Sequence, residues 1–185
     1  MDKKVINWED FNGHVAELAR QIANSNWRPD YIVGLTRGGL IPATMLSHYF
    51  DIPMYALSVS LRDDSGMGPE SNLWMAEDAF GYVDKNERAQ EHIPYDVSKA
   101  KNILIVDDIN DSGATINWIM DDWASGCMTS SDRWDYVWNQ NVKFAVIVDN
   151  LSSKCNVCMD FVGTTVNKAE KDVWIEFPYE TWWRS

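Results

Sequence analysis

Apolar residues recur at Phe11, Val15, Leu18 and Ile22, a spacing that predicts an amphipathic helix. Asn7 stands where a side-chain N-cap belongs, and the pattern ends near Asn24-Ser25-Asn26. Tyr31-Ile-Val33 reads as a short buried strand running into Gly34-Leu-Thr-Arg-Gly-Gly39. A helix follows, with Pro42 in its first turn and Ala43, Met45 and Leu46 as apolar positions. Met54 to Val59 is the next strand. Between Arg62 and about Ser98 the period is broken by Gly66, Gly68, Pro69 and Gly81, so residues of about 62–98 read as an excursion from the sheet, partly mobile. Asn102 to Val106 is a continuous apolar run, the mark of a parallel strand buried on both faces. A helix is expected from about Ala114 to Ala124, ended by Gly126. Residues 127–141 read as a loop with a turn of helix. Phe144 to Val148 is another buried strand, and Asp160–Val162 and Val173–Phe177 are shorter ones.

Strands alternating with helices imply an α/β fold: an open, mostly parallel twisted sheet flanked by helices, with right-handed crossovers. The 185 residues suit one domain, 1–185, large enough for a core of its own. In such a sheet, ligands bind at the carboxyl ends of the strands. The polar loops after Val33, Val106 and Val148 all fall there.

Composition narrows the partners. The net charge of −12 lacks the basic footprint of a nucleic-acid binder. An anionic substrate is still compatible with it, because a divalent cation and backbone N–H groups reverse the field within one cleft. No apolar run is long enough to span a membrane, and Met1-Asp2-Lys3-Lys4 leads into no apolar signal core, so a cytoplasmic protein is expected. Cys155 and Cys158 form a C-x-x-C pair. Cys127, His14, His48 and His92 do not complete zinc-ligand spacing with it, which favours reduced thiols. The sequons at Asn110 and Asn150 carry little meaning in an unsecreted chain. Ten tryptophans are unusually many; most are expected to pack.

The chemistry concentrates in Ile103-Leu-Ile-Val-Asp-Asp-Ile-Asn-Asp-Ser-Gly-Ala-Thr115. N–H groups at the start of a helix cradle an anion. Gly113 lets the backbone approach a phosphate closely, and the Ser112 and Thr115 hydroxyls add donors. Asp107 and Asp108 suit ribose hydroxyls, taken directly or through a metal's water shell. Thr36-Arg37-Gly38-Gly39 is short, cationic and glycine-rich, fitted to a pyrophosphate. Taken singly, these are also an acidic turn with an N-cap and an ordinary strand-to-helix turn. Their combination is much more specific. Further on stand Lys154, Asp160-Phe-Val-Gly163 and Val173-Trp-Ile-Glu-Phe-Pro-Tyr-Glu180. Trp174 offers a face for a flat base and Lys154 a donor to an exocyclic oxygen.

The thirteen-residue segment resembles the ribose-phosphate signature of type I phosphoribosyltransferases, and the set as a whole resembles their xanthine-guanine and hypoxanthine (6-oxopurine) branch. The resemblance covers roughly 30–60, 100–125 and 143–180. It implies transfer of a 5-phosphoribosyl group from 5-phosphoribosyl 1-diphosphate (PRPP) to guanine, hypoxanthine or xanthine, with Mg2+ as cofactor. By it, Asp107 and Asp108 meet the ribose diol, and Asp111, Ser112, Gly113, Ala114 and Thr115 hold the 5′-phosphate. Thr36, Arg37, Gly38 and Gly39 hold pyrophosphate across a cis Thr36–Arg37 peptide. Lys154, Trp174 and Ile175 read the base, from a hood of about 150–185. Asp107, Asp108 and Glu180 are the metal ligands, and Asp111 is the catalytic group, near N7 of the base. It also implies a homo-oligomer, a dimer or tetramer. The excursion departs from the family's lid: its Ser-Tyr pair is missing, and Arg62 or Lys85 stands nearest to such a role. A PRPP-binding regulator without turnover and an enzyme for another base, such as orotate, are the alternatives. Lys154 and Trp174 argue against orotate.

Overall fold

Along the chain, the residues described by the computed structural model (2–59, 72–83 and 95–184) give a regular alternation of strands and helices. The elements are β1 (Asp2–Val5), α1 (Trp8–Asn24), β2 (Tyr31–Leu35), α2 (Leu40–Phe50), β3 (Met54–Leu57), α3 (Leu73–Phe80), β4 (Ile103–Asn110), α4 (Ala114–Gly126), β5 (Val142–Asn150), β6 (Phe161–Val166) and β7 (Val173–Glu176). Five of the strands form one sheet in the order β3-β2-β4-β5-β6, and every pairing in it is parallel. This is the open parallel α/β sheet that the pattern predicts.

Strand alternation divides the sheet between two cores. Val33, Leu35, Ile103, Ile105 and Phe144 point to the side covered by α3 and α4. Ile32, Leu104, Val106, Ala145 and Ile147 point to the side covered by α1 and α2. Helix α1 buries Phe11, Val15, Leu18 and Ile22, each contributing about 1.5–3 kcal/mol. Its N-cap is Asn7, whose side-chain oxygen accepts from the Asp10 N–H at 2.8 Å. No described helix is long and apolar enough to cross a membrane.

The structure departs from the sequence pattern in five places. Strand β4 runs on through Asp107, Asp108, Ile109 and Asn110, because its backbone keeps pairing with β5 as far as Asn110 opposite Asp149. The acid pair therefore rides on a strand end and not in a loop. Within the expected excursion, α3 buries Met75, Ala76, Ala79 and Phe80 against α4, so that stretch belongs to the core. Arg62 and Lys85 lie outside the described residues. Strand β1 was not anticipated and pairs in parallel with β7, so the hood is a two-stranded sheet built from both ends of the chain. Strand β6, inside the expected 150–185 hood, belongs to the main sheet. Gly126 is the last residue of α4 and takes no left-handed turn; Cys127, extended at φ −125°, caps the helix.

Candidate functional site

A cavity of about 1030 Å³ opens at the carboxyl ends of β2 and β4. Its walls include Thr36, Arg37 and Gly38, the run from Asp107 to Ile116, and Tyr179, Glu180, Trp182 and Trp183. The first two motifs and the end of the third, Tyr179-Glu180, thus share one space.

The loop after β2 lies directly against the acid pair. A Cβ at Gly38 would collide with the Asp108 carboxylate. One at Gly39 would sit 2.8 Å from the Leu35 carbonyl and 2.9 Å from Cα of Asp107. Both glycines are therefore fixed by close approach, and any side chain would push the loop off the acids. The Thr36–Arg37 peptide is cis, as the resemblance implies. Arg37 is exposed and is the one cationic side chain among the described wall residues.

Asp107 and Asp108 sit half-buried at the cavity floor. Burial pushes the Asp107 carboxyl well above the usual carboxylate range, and the adjacent Asp108 charge adds to it. Burial also raises Asp108, against the hydrogen bond that Tyr179 donates to its Oδ2 at 2.7 Å. Such a pair favours whatever brings it protons, hydroxyl donors or a cation. The Tyr179 hydroxyl is itself held protonated by burial and by Asp108. Its ring is stacked on that of Phe177, nearly parallel at 5.5 Å, and lies edge-on to Phe11. Glu180 lines the same cavity. Its Oε2 accepts from the Phe177 N–H at 2.8 Å, and burial, with the nearby Asp108 charge, raises its carboxyl.

Helix α4 begins beside these acids. Gly113, at φ +85°, turns the chain into the helix and offers no side-chain cap; the Ser112 hydroxyl accepts from the Ala114 N–H at 3.4 Å, and the first turn lines the cavity. A Cβ at Gly113 would meet the Cys155 N–H. The segment 153–156 buttresses this turn from behind. The Lys154 N–H donates to the Ser112 carbonyl at 3.1 Å, and Asn117 reaches both the Lys154 carbonyl and the Asn156 N–H.

Two buried asparagines fasten the strand ends. Asn110 donates to Asp149 at 2.8 Å and accepts from Ser153. Asn150 donates to the Asp111 carbonyl at 2.8 Å and accepts from the N–H groups of Ser152 and Lys168. The Lys168 ammonium then closes an ion pair with Asp111 at 2.8 Å, mostly shielded from solvent.

The expected base readers stand elsewhere. Lys154 is exposed and outside the cavity walls; its backbone, not its ammonium, serves the site. Ile175 is buried in the core. Trp174 is 43% exposed on the β7 face opposite Val173 and Ile175, paired in register with Lys3, and also outside the walls. Residues that sequence reasoning missed are Lys168, Tyr179, Trp182, Trp183 and the two asparagines. Their one sequence signal is the recurrence of Asn at the ends of two apolar strands, beside acids, at Asn110 and Asn150.

Among the described residues no three His, Cys, Asp or Glu side chains form a metal-binding group. The acid pair still fits Mg2+, which binds through one or two carboxylates together with substrate oxygens rather than in an all-protein cage.

A family model described as phosphoribosyl transferase domain matches residues 3–180. Xanthine phosphoribosyltransferase 1 of Saccharomyces cerevisiae is 26% identical over 63% of this chain. That alignment spans 58% of the yeast protein, less than two-thirds of its length. Hypoxanthine-guanine phosphoribosyltransferase of Schizosaccharomyces pombe is 22% identical over 94% of this chain and 87% of its own. A purine phosphoribosyltransferase from Pyrococcus horikoshii shares the fold, with a TM-score of 0.60 at 23% identity, covering 97% of this chain and 94% of that one.

Proposed function

The chain belongs to the phosphoribosyl transferase family, and on that premise we propose that it moves the 5-phosphoribosyl group of PRPP onto a 6-oxopurine, releasing pyrophosphate and a nucleoside 5′-monophosphate. The observation that carries this reading is the convergence of the Arg37–Gly39 loop, the half-buried Asp107–Asp108 pair and the start of α4 on one cavity. The names of the relatives point to the same substrate class.

In this reading the first turn of α4, with the Ser112 and Thr115 hydroxyls, binds the 5′-phosphate. Asp107 and Asp108 accept from the ribose 2′ and 3′ hydroxyls, which supply the donors that the raised carboxyls lack. Arg37 and the N–H groups of the glycine loop receive pyrophosphate. Asp107 and Asp108 would also hold Mg2+, with Glu180 lining the same cavity. The bound ion would neutralise charge on the departing pyrophosphate. Positive charge develops on the ribose as that bond breaks, and negative charge on acids bound at the ribose diol would stabilise it. The walls must keep water away, because water would consume the same species.

Asp111 accepts the N7 proton of the purine, as general base or through electrostatics alone. Lys168, 2.8 Å from Asp111, joins Lys154 as a reader of the 6-substituent; both lysines stand outside the described cavity walls. N7 and that substituent lie on one edge of a purine. A carboxylate at the first puts an ammonium at the second, and an ammonium has donors only, which match an oxygen and reject an amino group. A Mg2+ requirement, a cytoplasmic setting and a dimer or tetramer belong to the same proposal.

The test is nucleotide formation from PRPP, Mg2+ and each of guanine, hypoxanthine, xanthine and orotate. Product is expected with at least one 6-oxopurine and none with orotate. Tight PRPP binding without turnover on any base would favour a sensor instead.

A further inference from the structure

We propose that the Cys155–Cys158 pair is a site of reversible oxidation that loosens the phosphate-binding turn at the start of α4, an inference that rests on the role given to that turn above. Both thiols are free in the structure. Cys158 is exposed, whereas Cys155 is half-buried and packs against the core on the α3–α4 side. The chain bends at the two residues between them, Asn156 and Val157. The third thiol, Cys127, is buried, and that burial pushes it up to about 11. It is therefore shielded from an oxidant that reaches Cys158.

What sets this pair apart from surface thiols is the main chain that carries it. The Cys155 nitrogen presses on Gly113, so closely that a Cβ there would collide with it. One residue earlier, the Lys154 N–H donates to the Ser112 carbonyl at 3.1 Å. One residue later, the Asn156 N–H donates to the Asn117 side-chain oxygen at 2.8 Å, and the Asn117 amide donates to the Lys154 carbonyl at 3.0 Å. Asn117 stands in the first turn of α4, and its own N–H donates to the Gly113 carbonyl at 3.0 Å. Residues 154–156 are thus bonded to the chain on both sides of Gly113. The Ser153 hydroxyl adds a further tie, donating to Asn110 at 3.1 Å and accepting from the Cys155 N–H at 3.2 Å. A Cys155 backbone that moves takes the turn at Ser112-Gly113 with it.

Burial alternates along this segment: Ser153, Cys155 and Val157 are half-buried, and Lys154, Asn156 and Cys158 are exposed. A disulfide holds its two Cβ atoms about 3.5–4.5 Å apart, so joining the inward sulfur to the outward one disturbs that alternation. Burial raises the Cys155 thiol, and the charge of a neighbouring Cys158 thiolate adds to it, so Cys158 is the better nucleophile. Its thiolate attacks one sulfur of a low-molecular-weight disulfide, whose S–S bond breaks and releases one thiolate. Cys155 then gives its proton to water and attacks the Cys158 sulfur of the mixed disulfide, expelling the second thiolate. Two protein thiols are oxidised, and one small disulfide is reduced to two thiols. Closing the ring draws Cys155 away from Gly113, and a reducing dithiol returns it.

The experiment treats the parent chain and Cys158→Ser with oxidised glutathione, then with dithiothreitol. Free thiols are counted after denaturation, and calorimetric titration reads the affinity for ribose 5-phosphate. The oxidised parent is expected to keep one of its three thiols and to bind ribose 5-phosphate about tenfold more weakly, a typical coupling between separate sites. Mass spectrometry shows the loss of two hydrogens and no attached glutathione. Dithiothreitol restores both thiols and affinity. Cys158→Ser binds within about twofold of the reduced parent before and after the oxidant, and Cys158→Ala takes its place if the serine variant lacks a thermal transition. The inference is overturned if the oxidised parent keeps all three thiols, if it stops at a mixed disulfide, if the ring closes without a change in affinity, or if Cys158→Ser weakens as much as the parent. A reduced parent that binds no ribose 5-phosphate would overturn the phosphate role of the turn itself, and this inference with it.

Discussion

Replacing Asn150 by Ala removes the clasp that holds Asp111 and Lys168 together. The side chain is 6% exposed and makes four hydrogen bonds. The two to Ser152 are the lesser loss, because that residue is exposed and water replaces them. The other two bind the Asp111 carbonyl and the Lys168 N–H, main-chain groups set around a buried side chain. Leaving a buried polar group unpaired costs about 1–3 kcal/mol, so the pair costs about 3 kcal/mol together. For a chain of this length that lowers the melting temperature by about 6–12 °C. Differential scanning calorimetry measures the drop. Steady-state kinetics is expected to show kcat/KM falling about 10- to 100-fold, because small displacements of catalytic groups are costly. Asn150→Asp refines the test. It keeps the acceptor bonds and loses only the donor to Asp111, so its deficit shrinks at acid pH, where the new carboxyl is protonated and donates again. An Asn150→Ala variant that melts within about 1 °C of the parent, with unchanged kinetics, refutes the clasp.

Asp107→Asn is expected to stabilise the ligand-free protein while removing turnover. A carboxyl raised in the folded state keeps its proton where the unfolded chain has lost it. Its contribution therefore falls as pH rises from the ordinary carboxylate range through the raised value. At neutral pH the amide should gain on the order of 1 kcal/mol, about 2–4 °C, and flatten the pH dependence of melting; a lower melting temperature there would count against the repulsive pair. Gly113→Ala combines φ +85° with a collision at Cys155, so a loss of about 1–3 kcal/mol and weaker ribose 5-phosphate binding are expected, read by thermal melting and titration. Lys168→Ala should raise the KM for the preferred purine about 10- to 100-fold, the worth of a charge-assisted hydrogen bond, and leave PRPP affinity within about twofold. Equal effects on both substrates would take Lys168 away from the base.

The parts of the fold readable in advance are those whose side chains report the backbone's surroundings. Phe11, Val15, Leu18 and Ile22 define α1, because one face of that helix is buried and the rest is wet. Ile103 to Val106 announce a strand covered on both sides. Strand β1 was silent, because Asp2-Lys-Lys-Val5 is exposed throughout and has no apolar face to show. The end of β4 was silent for another reason: main-chain pairing with β5 continues beneath acidic side chains that look like loop. In the site, local arrangements were legible and long-range ones were not. Gly113 and Gly38-Gly39 mark close approaches by their residue type alone, although the groups they approach, at Cys155 and at Asp107 and Asp108, come from distant segments. The meeting of Lys168 with Asp111, or of Tyr179 with Asp108, depends on how distant segments return over the sheet. Lys154 shows the converse. The sequence singled out the right segment, and the structure uses its backbone to support Gly113 while its side chain faces solvent.

Transfer of a phosphoribosyl group to a 6-oxopurine in this cavity leaves two phosphorus-bearing products. Phosphorus NMR of the protein with PRPP, Mg2+ and guanine, hypoxanthine or xanthine tests it most directly. PRPP resonances are expected to give way to pyrophosphate and a nucleoside 5′-monophosphate in equal amounts, and only when a purine is present. Contradiction would come as PRPP that binds and persists unchanged with every base, or as pyrophosphate released without nucleotide.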